Sequence, residues 1–339
     1  MTKTTLVYAA FVAAVIVSQV SCTKADEDDV SELTGNWIRS SDFDGNARSE
    51  AVTFTIGNKV YLTTGINSTN QRYNDLWEYD INLKYWIQKA PFPGNARNSA
   101  IAFTINGKGY VGTGYDGSNR LNDFWEYDPA TDTWTQKASL PASARYDATG
   151  FSLNDKGYVC AGFDGNYLKD LWEYNPSGNS WTQRASLGGS KRSAAMSFVL
   201  NGKAYVVSGN NNGSALNEMW TYDQAGDTWT QKRALTPVSD ETYDDVYASI
   251  ARYNGSAFVT NGRAYITAGE NGSLINNTWE YNDADDLWTE KTPFEGSART
   301  GTIAFSVADR SFVLTGRNGS LAYDNMYEFR PADVYNVND

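Results

Sequence analysis

The chain has 339 residues, of which 41% are hydrophobic and 14% aromatic, a formal net charge of −12, and no histidine. The acidic balance excludes the common routes to nucleic acid and anionic lipid, because phosphate recognition needs clustered Lys and Arg. The missing histidine removes Ser-His-Asp and Cys-His catalysis, histidine-bound zinc and histidine-ligated copper.

The N-terminus reads as an address. Lys3 precedes an apolar run from Leu6 to Val17, which suits a signal-peptide core and is shorter than the ~20 residues that span a bilayer. Gln19-Val20-Ser21-Cys22 resembles a bacterial lipobox, with Gln19 where leucine is usual. The "TKADEDD" behind Cys22 resembles the export tag of Bacteroidetes-type surface lipoproteins. The resemblance implies a signal peptide over residues 1–21, lipidation at Cys22 and an acidic tether over 22–34. It also implies an outer-membrane or cell-surface location, with the lipid as the sole membrane contact. The alternative is a cleaved signal and a secreted or periplasmic protein.

Beyond the tether the chain repeats itself, which is the first thing to seek in a sequence of this length. An arginine recurs at Arg48, Arg97, Arg145, Arg192, Arg252 and Arg299, at spacings of 49, 48, 47, 60 and 47 residues. A Trp-x-Tyr follows at Trp77, Trp125, Trp172, Trp220 and Trp279, and becomes Tyr327-Glu328-Phe329 in the sixth unit. A lone tryptophan follows again at Trp86, Trp134, Trp181, Trp229 and Trp288. Each unit predicts four short strands. In the second, "SAIAFTI" is a strand, Asn106-Gly107 a hairpin turn, "KGYVGTG" a strand, "YDGSNRLN" a polar loop, "DFWEYD" a strand, "PATD" a turn and "TWTQKA" the fourth strand.

Four strands in a period near 50 predict a propeller blade. The pattern resembles the Kelch repeat: an arginine before strand one, a G-K/R-x-Y strand ending in small residues, W-x-Y, then a spaced tryptophan. It covers residues 35–330 and implies an all-β, six-bladed Kelch β-propeller of galactose-oxidase-like fold, monomeric, with a C-terminal tail over 331–339. The sixth unit lacks its trailing tryptophan. Trp37 in "GNWIRS" stands 49 residues before Trp86, so the N-terminal strand is expected to close the last blade and cover its edge. Cys160 occupies a position filled elsewhere by small or apolar residues, and reads as a buried structural thiol.

In propellers the loop entering each blade and the loop between strands two and three gather on one face, around the channel. What repeats there is frame, and what varies can carry specificity. The six arginines offer either an electropositive collar for anions or buried ties with acidic partners. The variable positions supply Tyr115, Phe163, Tyr146, Tyr253, Glu50, Asp147, Glu270 and Arg317 as candidate ligand-binding residues. Aromatic rings beside polar groups suit a sugar or a peptide side chain. The long interval before Arg252 marks an insertion over 236–251, with Asp240, Glu241, Asp244 and Asp245 beside Tyr243 and Tyr247. It would project from the channel face as a lid or a Ca²⁺ site, although its spacing is not that of an EF-hand. No other metal or cofactor is expected.

Fold alone does not fix function. The leading expectation is a binding module for a glycan or an envelope protein. The copper chemistry of galactose-oxidase-like enzymes is unavailable without histidine. A sugar-acid mutarotase, resembling the Kelch sialic-acid mutarotase, needs only an acid and a base; no motif marks a catalytic residue. A structural role in envelope assembly is the third expectation.

Overall fold

The computed structural model describes Met1, residues 33–336 and Asn338. The expected signal peptide, Cys22 and most of the acidic tether lie outside the described residues. Among the described residues no helix is long and apolar enough to cross a membrane.

Six four-stranded antiparallel sheets follow one another along the chain. Blade two shows why. Its first strand, Ile101–Ile105, buries Ile101, Phe103 and Ile105 in strict alternation, the period-two pattern of a strand. Asn106 and Gly107 both take positive φ, 49° and 72°, as a two-residue hairpin requires. The second strand, Lys108–Gly112, is buried on both faces after its first residue. The third and fourth, Phe124–Asp128 and Thr133–Lys137, complete the blade. The other blades repeat the pattern from first strands at Ser49–Ile56, Thr149–Leu153, Met196–Leu200, Ser256–Thr260 and Ile303–Val307.

Blade six is assembled from both ends of the chain. Thr34–Arg39 pairs with Met326–Val334, with Trp37 opposite Phe329. The last strand therefore runs past the expected boundary at residue 330, and reaches Val334 because Thr34 pairs with it. The lone tryptophans lie between blades. Trp134 Nε1 donates to the Ala90 carbonyl of blade one at 3.0 Å, Trp181 to Ala138 at 2.8 Å, Trp229 to Ala185 at 2.9 Å and Trp37 to Thr292 at 3.2 Å. The final Asp of the "DPATD" turn, Asp132, receives the Ala90 N–H at 3.0 Å and the Tyr127 hydroxyl at 2.7 Å. Cys160 is buried and free.

Candidate functional site

The arginines come first because the mouth of the channel is built on them. All six are buried, at 0–1% exposure. In each, Nε donates to the carbonyl two residues back, and one terminal nitrogen donates to the carbonyl sixteen residues on. The guanidinium then meets the residue two before the Trp-x-Tyr aromatic. That residue is Asp75, Asp123, Asp170 and Glu218 in blades one to four, and Asn277 and Asn325 in blades five and six. Asp75, Asp123 and Asp170 also accept the Nε1–H of the following tryptophan. Where an amide replaces the carboxylate, Arg252 and Arg299 have no hydrogen-bonded carboxylate, and burial pulls both below the ordinary arginine range. The collar reading is thus corrected to the frame reading: these side chains are buried and bonded inside their own blades, with one terminal nitrogen of Arg299 left without a partner. The glycine that ends strand two is part of the same device. At Gly65, with φ at 100°, a Cβ would stand 2.9 Å from Arg48 Cδ.

Two residues beyond each arginine the chain enters the left-handed region, at Glu50, Ser99, Asp147, Ala194, Asn254 and Gly301, with φ between 51° and 64°. There the backbones link blade to blade. Ser99 N–H donates to Glu50 O, Asp147 to Ser99, Ala194 to Asp147, Asn254 to Ala194, Gly301 to Asn254, and Glu50 back to Gly301, at 2.7–3.1 Å. This closed ring of six hydrogen bonds surrounds the channel and holds five side chains at its rim, the sixth position being Gly301. The left-handed region is costly for Glu and Asp, and the ring maintains it.

The rim and the loops above it bring most of the sequence candidates together. Glu50 Oε2 accepts from Asn98 Nδ2 at 2.6 Å and Ser99 Oγ at 2.9 Å, while Arg317 lies 3.3 Å from Oε1. Arg72 Nε donates to Asn98 Oδ1 at 2.6 Å. Asp147 is half-buried; burial and the neighbouring Glu50 charge push its carboxyl up to about 7, against the pull of Ser99 and Arg317. A row of half-buried rings crosses blades two and three: Tyr115–Tyr146 at 5.6 Å, Tyr146–Phe163 at 5.6 Å and Phe163–Tyr167 at 5.1 Å between centroids. Arg72 lies over Tyr115 and Arg120 over Phe163. Cavities flank the row. One of about 520 Å³ is lined by Glu50, Arg72, Asn98 and Arg317 among others, and one of about 620 Å³ by Phe163, Tyr167, Ser190 and Lys191 among others. Glu270, in blade five, accepts from Thr300 Oγ1 at 2.9 Å, and Tyr253 pairs with it through the backbone.

The insertion does not join them. Tyr247 is buried against blade five, where its hydroxyl donates to Trp288 O at 2.9 Å and accepts Trp288 N–H at 2.8 Å. Tyr247 stands five residues before Arg252, as Phe92 stands before Arg97, and packs on Trp279 as Phe92 packs on Trp125. Asp244 is turned inward onto the Val238 and Ser239 amides. Asp240, Glu241 and Asp245 are exposed, and Tyr243 is bound by Arg233 at 2.6 Å. The lid expectation is corrected, because the loop is fastened to the outer strand of blade five. Among the described residues no group of three or more metal-ligating side chains exists.

Arg72, Arg120, Tyr167 and Ser99 were not singled out as site residues from the sequence. The signal was present: at the position that pairs across the top loop, the repeats read Arg72, Arg120, Tyr167, Ala215, Leu274 and Ala322.

A profile of the KLHDC2/KLHL20/DRC7 Kelch-repeats domain matches residues 36–197, from the N-terminal strand to the start of blade four. The fold is a six-bladed Kelch propeller. Among solved structures this Kelch propeller is similar to YjhT, at 16% identity over 85% of this chain and 95% of that one, with a TM-score of 0.69. At that identity the likeness is one of fold alone. No curated protein sequence matches the Kelch propeller described above.

Proposed function

We propose that this Kelch propeller is a surface-anchored binding module, held through Cys22, that takes a carbohydrate at its channel face. One observation carries the reading: the row Tyr115, Tyr146, Phe163 and Tyr167 between two polar-lined cavities. The aromatics that repeat in every blade are core. These four positions are not aromatic in every blade, and half-buried rings beside amides and guanidiniums suit the apolar faces and hydroxyls of sugars. The test is calorimetric titration with neutral and acidic oligosaccharides. Tyr146→Ala should weaken the best ligand roughly tenfold, the equivalent of ~1.4 kcal/mol. Silence across the glycans overturns the reading and turns attention to an envelope protein.

A second reading, a sugar-acid mutarotase-type enzyme, is favoured by the two unlike carboxyl groups at the rim. Asp147 near 7 beside Glu50 offers an acid and a base without histidine. Polarimetry of anomer equilibration tests it, with Asp147→Asn as the control that should lose activity.

A further inference from the structure

Two exposed apolar patches lie outside the channel face, each where the chain departs from its own repeat. The insertion holds out Val238, Tyr243 and Val246, and blade one holds out Leu83, Tyr85 and Ile87, all six at 39–61% exposure. Among the described residues the other exposed large apolar side chains are Leu33, Val334 and Tyr335 at the seam, with Met1 and Leu321 elsewhere. Clustered apolar exposure marks interaction surfaces. The insertion is a knob held rigid. Asp244 accepts the Val238 and Ser239 amides and the Ser239 hydroxyl, which folds Val238 back toward Tyr243 and Val246. Arg233 Nη1 donates to the Tyr243 hydroxyl at 2.6 Å, and Tyr247 pins the loop to Trp288. The apolar side chains are thus pre-organised in solvent, with little ordering left to cost on contact. The exposed charges beside them are Asp240, Glu241 and Asp245, and the segment 236–251 contains no Lys or Arg.

The blade-one patch lies on a sheet edge. Tyr85–Lys89 is the outer strand, paired on one side only, with Leu76–Asp80. Where it puts Tyr85 and Ile87, the outer strands of blades two, three and four put Thr133 and Thr135, Ser180 and Thr182, Thr228 and Thr230. Leu83 stands where the other turns carry Thr131, Gly178, Gly226 and Asp285. An exposed apolar edge is a template for another chain. The carboxylates near it are engaged within the fold: Glu78 with Lys59 and Tyr61, Asp80 with the Asn82 and Leu83 amides, and Asp132 with Tyr127 and the Ala90 amide. Lys84 is exposed, and its ammonium has no partner among the described residues. The Lys59 side chain is 44% exposed. The edge therefore offers positive charge beside its apolar side chains.

We propose that the two patches are halves of one interface: the blade-five knob of one copy of this chain docks on the blade-one edge of a second copy. Each supplies what the other lacks, apolar side chains in an acidic surround against apolar side chains in a basic one. Opposite charge steers such a contact and fixes its register. Blade six stands between blades five and one, so knob and edge meet between copies and not within one. They are different surfaces, which makes the interface heterologous. A docked pair still presents one free knob and one free edge, and association continues past the dimer unless a ring closes. Patches of this size place the contact among the weak interfaces. The inference goes beyond the channel face and does not need the carbohydrate reading.

The experiment is sedimentation velocity of the full-length chain over a wide concentration range, at low and high salt. The expected result is a sedimentation coefficient that rises with concentration and falls back in high salt. Tyr85→Thr with Ile87→Thr gives the edge the residues of blade two. Val238→Ser with Val246→Ser makes the knob polar and leaves Asp244 and Tyr247 in place. Each double variant alone should remain monomeric. Mixed in equal amounts, the two should form a dimer and stop there, because one copy keeps only the knob and the other only the edge. A wild-type monomer at every concentration, the state the repeat pattern implies, overturns the inference. So does a mixture that stays monomeric. Association that survives in both double variants overturns it too, and assigns the contact to another surface such as the apolar run from Leu6 to Val17. Loss in one variant only means a patch that pairs with itself, and overturns the knob-to-edge contact. Thermal melts check that the variants fold. Should a double variant fold poorly, Lys84→Glu on the exposed turn decides: it should weaken self-association, and unchanged association overturns the pairing.

Discussion

Trp37 and Phe329 face each other across the seam between the two ends of the chain, with ring centroids 4.6 Å apart. Trp37 also meets Phe294 of the preceding connection edge-on at 5.0 Å and is fully buried. One residue from the N-terminal strand thus joins blade six to blade five.

Trp37→Ala should cost about 3–5 kcal/mol, the usual range for emptying a large core site. Removing Tyr335 to Asp339 should cost far less, since this segment lies beyond the last strand, which ends at Val334, and Tyr335 and Asn336 are exposed. Urea denaturation of the two variants checks the difference. Equal midpoints would mean that the seam does not hold the ring.

The arginine frame predicts an asymmetry. Arg145→Met leaves Asp170 and the Ala161 and Ser143 carbonyls without their donor, and breaking such a pair costs roughly 3–5 kcal/mol. Asp170→Asn should be much milder, because Asn277 and Asn325 already do this work in blades five and six. Chemical denaturation of both variants is the measurement.

Asp147 gives a pH signature. Its native value of about 7 lies above the ordinary carboxyl, so the folded state binds the proton more tightly than the unfolded chain. That contribution is complete below about pH 4 and is lost as pH rises through 7. Asp147→Asn also suits the left-handed backbone there. The variant should match the wild-type Tm near pH 4 and exceed it at pH 8, read as the difference between the two scans.

Tyr247→Phe removes a hydroxyl that serves both backbone groups of Trp288. The expected cost is about 1–3 kcal/mol, with ligand binding at the mouth unaffected, as thermal melts and titration would show. Loss of binding instead would return the insertion to the site.

Cys160 is wholly buried, and burial pushes its thiol up to about 12. Thiol reagents at neutral pH should leave Cys160 unlabelled in the folded protein and react with it once the chain is unfolded, as peptide mapping would show.

The fold was legible because its determinants repeat. Arginine, Trp-x-Tyr and the spaced tryptophan each recur with their neighbours, so every blade corroborates the others, down to Trp37 completing the sixth. The site was legible only in part. Glu50, Asp147, Tyr115, Tyr146 and Phe163 stood out by varying at a mapped position. Whether the arginines were collar or frame turned on Asp75 and its equivalents, which sit two residues before an aromatic and read as loop polarity until their distance to the guanidinium is known. The insertion misled for a similar reason. Tyr247 keeps the packing role of Phe92, Asp244 turns inward to brace the loop, and only Asp240, Glu241 and Asp245 are left in solvent. The proximity of Ser99 to two carboxyl groups is a product of ring closure, which no local pattern announces.

The hydrogen-bonded circle through Glu50, Ser99, Asp147, Ala194, Asn254 and Gly301 makes six sites interchangeable in backbone and independent in chemistry. A side chain moved from one to another meets the same φ and the same neighbours in the main chain. The rim is in effect a dial of six settings, currently reading Glu, Ser, Asp, Ala, Asn and Gly. A library restricted to those six codons would resample what the channel recognises while leaving the blades that carry it untouched.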